Sequence, residues 1–490
     1  MSEGKKVKNA DDLLQNSMDK TIRRGRELII DAINIGISSV APSSVVGNRV
    51  RHSGNSLEIM DAYGLVHSFD LSGYDGIYVV GFGKYISFFA EAIEMKLGDI
   101  ILDGVVLDAK RYAHGRPKKI KVLRGSHPIP SDDNIAAARY IIDFVEGLPT
   151  DAFVLALVMG GASALFSYPI EPITINDLVE ATKTMLMEGL DIYDINTIRK
   201  HISNIKGGKF AEVVYPRKLV GLVISDIPGD NISFIGSGPT SPDPTTYQDA
   251  HRIIQRYNME EKLPESVIQV INRGVRGEIS ETPKPESKIF KNVDNFVIAN
   301  NSLALRTIHN YFRSKKIECL LLTDRLRGEA REVGKALGSI IYSYPELNSR
   351  SKPTAIICGG ETMVTVRGHG KGGRNQELAL SVAIELNGIL KSRKIVFASI
   401  GTDGIDYIED VAGGIVDKFS YERAKKEGID PLLCLENNDS YTFFKTLNDH
   451  IITGITGTNV ADIMIGIHLD LIYLLDFYFF EIRDLMEPII

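Results

Sequence analysis

The residues best suited to chemistry stand where short apolar runs give way to glycine. Residues 77–80 lead into Gly81-Phe82-Gly83-Lys84. Glycines at a strand-to-helix turn let the backbone come close to an anion, and the free N–H groups of a helix start favour negative charge. Lys84 adds a full positive charge there. A tight turn with a solvated lysine is the plainer alternative. Met159-Gly160-Gly161-Ala162-Ser163-Ala164 has the same form without the charge, and Ser163 there either caps a helix or meets an anion. A basic stretch follows at 196–209, with Arg199, Lys200, Lys206 and Lys209. Arg199, Ser203 and Lys206 have helical spacing and are expected to share one face. A solvated basic surface is the ordinary reading of such a stretch. Gly207-Gly208 fits a helix end.

Carboxylates come next. Ser225-Asp226 follows the apolar run 219–224 and continues through Asp230 to Gly236-Ser237-Gly238-Pro239-Thr240. Open α/β sheets place ligands at the carboxyl ends of their strands, where Asp226 is expected. There Asp226 would orient or deprotonate a hydroxyl. Asp230 is a candidate for holding a divalent cation. The plain alternative is an Asx-turn in a surface loop. Farther on, Gly359-Gly360-Glu361 precedes Gly370-Lys371-Gly372-Gly373-Arg374-Asn375 and a helical pattern over 378–386. Arg374 would then stand at a helix start, where a cation is unfavourable unless an anion accompanies it. Gly401-Thr402-Asp403-Gly404 repeats the theme of glycine and acid after a strand, with Asp403 a second cation candidate. Thr456-Gly457-Thr458-Asn459-Val460-Ala461-Asp462 closes the series.

The elements that must position these residues alternate between apolar strands and helical stretches, which argues for βαβ units around mostly parallel sheets. Strands are expected near 77–80, 152–159, 219–224, 295–298, 317–322, 354–358 and 395–400. The Pro283-Lys-Pro-Glu286 stretch is the strongest boundary signal. Two α/β domains are therefore expected at 20–282 and 288–467, with a tail at 468–490. Residues 1–20 are polar and read as loose.

Composition excludes several classes. With 56 basic and 63 acidic residues the chain carries a net charge of −7, so nucleic acid is not an expected partner. Three scattered cysteines form no disulfide framework, which fits a reducing cytoplasm. No run of about 18 apolar residues predicts a membrane span. The sequence has no G-x-x-x-x-G-K-[ST] loop, so a P-loop kinase is excluded. It also lacks a dinucleotide fingerprint, which weighs against a nicotinamide-dependent dehydrogenase. The histidines, including His127, His201 and His369, lack zinc spacing.

Taken in order, the stretches 81–84, 125–130, 160–164, 196–209, 225–245, 359–377, 401–414 and 456–462 resemble the type-2 glycerate kinases of the MOFRL family. The resemblance implies a Rossmann-like N-terminal domain, a smaller C-terminal MOFRL domain with a mixed sheet, and an active site in the cleft between them. It implies ATP as phosphoryl donor, Mg²⁺ or another divalent cation, D-glycerate as substrate and 2-phosphoglycerate as product. Lys84, Asp226 and Arg374 match the family's catalytic positions. Gly81, Gly83, Gly160, Gly161, Ser163, Arg199, Lys206, Gly238, Thr240, Glu361, Gly372, Gly373, Asn375, Thr402 and Asp403 are the expected substrate and nucleotide contacts. Ala162 stands where the family often has glycine, and the apolar run 471–480 of the tail extends past the family's usual end. That tail reads as an amphipathic packing element or a homodimer element. The rival readings are a hydroxypyruvate reductase, a kinase of another small hydroxy acid and a non-catalytic sensor.

Overall fold

The computed structural model describes residues 5–348, 353–387 and 394–469. Two compact units emerge, one formed by 42–300 and the other by 1–41 together with 301–490.

The 42–300 unit begins with a small antiparallel sheet of β1 (Val50–Ser53), β2 (Ser56–Met60) and β3 (Val66–Asp70). Its main sheet comprises β4 (Ile77–Phe82), β5 (Ile101–Ala109), β6 (Ile120–Gly125), β7 (Phe153–Val158), β8 (Lys218–Ile224) and β9 (Val293–Ala299). All six run parallel, in the order β6-β5-β4-β7-β8-β9. Every residue of β7 is buried, as a parallel strand covered on both faces requires. The direction of winding reverses between β4 and β7, and ligands of open α/β sheets bind outside the carboxyl ends of the strands at such a reversal. Helices 175–187, 192–201, 247–256 and 265–275 build a separate apolar cluster around Ile198, Tyr247, Ile254 and Val267.

The second unit carries a mixed six-stranded sheet. Its strands are β10 (Glu318–Leu326), β11 (Thr354–Gly360), β12 (Lys394–Gly401), β13 (Gly413–Asp417), β14 (His450–Ile451) and β15 (Asp462–Leu469), in the order β10-β11-β15-β12-β13-β14. Only β10 and β11 are parallel neighbours. Helices Ala330–Leu347 and Arg374–Asn387 share the core cluster on one face. Helices Lys20–Ser39 and Asn301–Ser314 also belong to this unit, and Gly36 of the first lies against Ile308 of the second.

The expected boundaries, 20–282 and 288–467, are therefore drawn differently. The strand after the proline-rich stretch is β9, which pairs with β8 and buries Val297 and Ile298 in the first sheet. The amphipathic helix Lys20–Ser39 lies on β12, with Gly25 against Val396. Residues expected to be loose are also placed. Ala10–Gln15 is helical, Val7 and Leu13 are buried, and the Lys8 N–H donates to the Ile452 carbonyl at 2.7 Å. The tail begins later than expected, since His468 and Leu469 still pair in β15, and the rest of it lies outside the described residues. Among the described residues no single helix is long and apolar enough to cross a membrane.

Candidate functional site

In the 42–300 unit three glycine turns converge on one aromatic cluster. Phe82 from the first turn stacks on Phe166 at 4.2 Å between centroids, and Phe210 stands edge-on to both at 5.7 and 5.3 Å. Phe166 follows the short helix of the second turn, and Phe210 follows Gly207-Gly208. Apolar packing thus fixes the three turns relative to one another at the carboxyl edge of the sheet. The Lys84 N–H donates to the Gly160 carbonyl at 2.8 Å, tying the turn after β4 to the turn after β7. Lys84 therefore stands at the reversal point. Buried Asp108 accepts from the N–H groups of Tyr85 and Ser87 at 2.9 and 3.0 Å, holding the helix start that follows.

The glycines serve close approach by side chains. A Cβ at Gly160 would overlap the Asp226 carboxylate. One at Gly161, whose φ is +80°, would stand 2.8 Å from Lys84 Cγ and 2.9 Å from His127 Nε2. Asp226, Lys84 and His127 are thus gathered on two consecutive residues, whose Cα atoms lie about 3.8 Å apart. The turn Gly160-Gly161 therefore seats these three side chains.

The basic stretch is arranged differently from expectation. Helix Ile192–His201 ends before Ser203, so Arg199 and Lys206 do not share one helical face. They still come together in charge, because burial and then the nearby Arg199 push Lys206 down to about 7. Its Nζ donates to the carbonyls of Ser163 at 2.7 Å and Phe166 at 3.0 Å. Burial lowers Arg199 to about 10, and its guanidinium makes no hydrogen bond or ion pair among the described residues. Arg199 is half-buried, and holding a guanidinium there without a carboxylate costs free energy unless water or an anion answers it. Ser163 does not cap its helix; its hydroxyl meets that of Ser237 at 3.0 Å. Gly238 terminates a turn at φ +64°, and the Thr240 hydroxyl donates to Asn295 at 2.8 Å in a buried setting, so both have internal structural tasks. Gly81 packs against Leu157 and Gly83 against Met159. Asp230 accepts from Tyr63 at 2.9 Å and Asn300 at 2.6 Å, both on Oδ2, leaving Oδ1 without a partner among the described residues.

In the second unit Arg374 opens its helix as expected. Its companions are carboxylates of the chain itself. Nε and one terminal nitrogen donate to Asp462 at 2.6 and 2.9 Å, and the other terminal nitrogen pairs with Glu361 at 3.0 Å. Although burial opposes its charge, these partners raise the guanidinium further above its usual range. Buried Asp406 meets the same helix start, accepting from the N–H groups of Asn375 and Gln376 at 3.0 and 2.9 Å, and burial pushes its carboxyl up. Gly373 lets Asp406 approach, and Gly372 lets Ser440 approach. The Asn375 side chain is spent on Ser399 and Asp406. The Thr402 hydroxyl donates to the Ala461 carbonyl at 2.6 Å. The Asp403 carboxylate accepts from the Ile405 N–H at 3.1 Å. Among the described residues no group of three or more His, Cys, Asp or Glu side chains is placed to hold a metal. His127, Ser237 and Asp462 are site neighbours that motif reading did not assign.

The MOFRL family matches residues 354–462, and a family described as a domain of unknown function (DUF4147) matches 28–272. A glycerate 2-kinase of Pyrococcus horikoshii is 38% identical over 445 residues, covering 90% of this chain and 97% of that protein. A D-glycerate 2-kinase of Thermotoga maritima is 39% identical over 395 residues, covering 80% of this chain and 91% of that protein. The crystal structure of a glycerate kinase from Thermotoga maritima superposes with a TM-score of 0.76 at 36% identity, covering 90% of this chain and 98% of that one.

Proposed function

Because this chain belongs to the MOFRL family of glycerate 2-kinases, we propose that it transfers the γ-phosphoryl group of ATP to D-glycerate, forming 2-phosphoglycerate. The observation that carries the site is the meeting of Lys84, Asp226 and His127 on Gly160-Gly161 at the point where the sheet reverses. We read the 42–300 unit as Rossmann-like, supported by its strand order.

Phosphoryl transfer depends on alignment and charge neutralisation more than on covalent steps. In this reading Asp226 orients the 2-hydroxyl and takes its proton. Lys84 stabilises charge on the transferring group. Arg199 and Lys206, short of carboxylate partners, receive the anionic end of the substrate. Arg374, which this reading also assigns to catalysis, is held rigid by Asp462 and Glu361 in the second unit. A divalent cation fits the donor set at Asp230, because Mg²⁺ is usually held by one or two carboxylates together with phosphate oxygens and water. When bound, it neutralises phosphate charge; Asp230 Oδ1 would hold it, with Asp403 the alternative.

The test is incubation with ATP, Mg²⁺ and D-glycerate, with the product identified by phosphorus NMR. A 2-phosphoglycerate signal is expected. A 3-phosphoglycerate signal would keep the enzyme class and remove the 2-hydroxyl from Asp226. Oxidation of NADH with hydroxypyruvate, in place of phosphoryl transfer, would overturn the reading in favour of the reductase.

A further inference from the structure

His127 has no part in the site as motifs predict it, yet the fold brings it there. It follows β6, the strand beyond β5 in the main sheet. Its Nε2 lies 2.9 Å from where a Cβ on Gly161 would stand, beside the Lys84 stem. The ring is only partly buried and makes no hydrogen bond or ion pair among the described residues. An imidazole held in a fold without a hydrogen-bond partner, beside the Lys84 side chain, is open to a ligand.

The chemistry of that ligand follows from the ring's charge. Burial and then the Lys84 charge push His127 down to about 4, so it is neutral near pH 7. A neutral imidazole presents one donor and one acceptor. That pattern complements an alcohol, which also donates and accepts. It is a weaker match for a carboxylate or phosphate, which only accept and which the neighbouring Lys84 and Arg199 serve better.

Resting on the kinase reading above, we infer that His127 is a substrate-binding residue that recognises the hydroxyl of glycerate that is not phosphorylated, the one on C3. Asp226 and His127 seat on consecutive glycines, and the two hydroxyls of glycerate sit on adjacent carbons. Both side chains thus approach the same pair of glycines, as contacts to one small substrate require.

The experiment is steady-state kinetics of His127→Ala and His127→Asn beside the wild-type enzyme, varying D-glycerate and ATP separately. For His127→Ala the KM for glycerate is expected to rise about tenfold, the value of one neutral hydrogen bond lost uniformly. The KM for ATP and kcat should change less than twofold, and His127→Asn, which keeps a donor and an acceptor, should recover much of the loss. An unchanged KM for glycerate, or a rise in the KM for ATP instead, overturns the assignment. So does loss of the thermal unfolding transition in both variants, which would make His127 a core residue. Absence of glycerate phosphorylation by the wild-type protein is a different failure, that of the kinase reading itself.

Discussion

The Asp226 carboxylate occupies the space that the first side-chain carbon of any residue other than glycine would need at position 160. Gly160 has ordinary backbone angles, so alanine meets no conformational barrier there. The consequence of Gly160→Ala is local, because Asp226 must swing away from its seat. We expect a drop in kcat close to that of Asp226→Asn, roughly 10²–10⁴-fold if the carboxylate is the general base. Circular dichroism and melting temperature should stay near wild type for both variants. Full activity in either one would reject the role of Asp226.

The pH behaviour of Lys206 has a definite sign. Burial and the Arg199 charge lower it from an ordinary value near 10.5 to about 7. Between about 7 and 10 the unfolded chain therefore holds a proton that the folded chain has released, and stability rises with pH across that window. Substrate binding runs the other way, since only the ammonium attracts an anion, so the KM for glycerate should climb above pH 7. Lys206→Met should flatten both trends. Chemical denaturation and kinetics at pH 6, 7.5 and 9 test the pair together.

The strands near 77–80, 152–159, 219–224 and 395–400 were legible because a buried strand needs an unbroken apolar run, and such runs are visible in one dimension. Lys84 and Asp226 stood out because each comes within a few residues of the end of such a run. The partner that a glycine admits was not, because Asp226 approaches Gly160 from a different strand. The helix Lys20–Ser39 shows an apolar face without showing which sheet it covers, so its place in the second unit was hidden. The same holds for β9, whose pairing with β8 overrides the proline-rich stretch before it. Arg374 was correctly singled out as a cation at a helix start, but the anions that answer it are Asp462 and Glu361. A local conflict in charge marks a place of interest without saying whether protein or ligand resolves it.

Arg374 therefore carries two loads, and substitution separates them. Arg374→Ala leaves Asp462 buried without its bidentate partner. The expected destabilisation is about 2–3 kcal/mol, at the low end for a broken buried pair because a third of the Arg374 side chain is open to water. Turnover should fall on the order of 10³-fold if the charge also meets the transferring phosphoryl group. The double variant Arg374→Met with Asp462→Leu removes the pair cleanly and should recover stability. Recovery of turnover as well would confine Arg374 to a structural role, whereas stable but inactive protein would keep it in the reaction.

Arg26 makes the strongest claim about the N-terminal segment. Its guanidinium is fully buried and pairs with Asp417 at 2.7 Å and Asp449 at 2.6 Å, with a further bond to the Leu13 carbonyl at 2.9 Å. Arg423 reaches the same Asp449 at 2.8 Å. One side chain of helix Lys20–Ser39 thus satisfies two carboxylates beside β13 and β14 and holds the preceding short helix. Arg26→Met would leave Asp417 buried without a counter-charge, while Asp449 keeps Arg423. The expected loss is about 3–5 kcal/mol, several times that of Arg23→Met, whose pairing with Glu27 is exposed and worth under about 1 kcal/mol. Denaturation monitored over the whole chain should show the Arg26 variant unfolding at markedly lower urea, and removal of residues 1–41 should be at least as damaging. Equal midpoints for the Arg26 and Arg23 variants would reduce the N-terminal helices to an appendage.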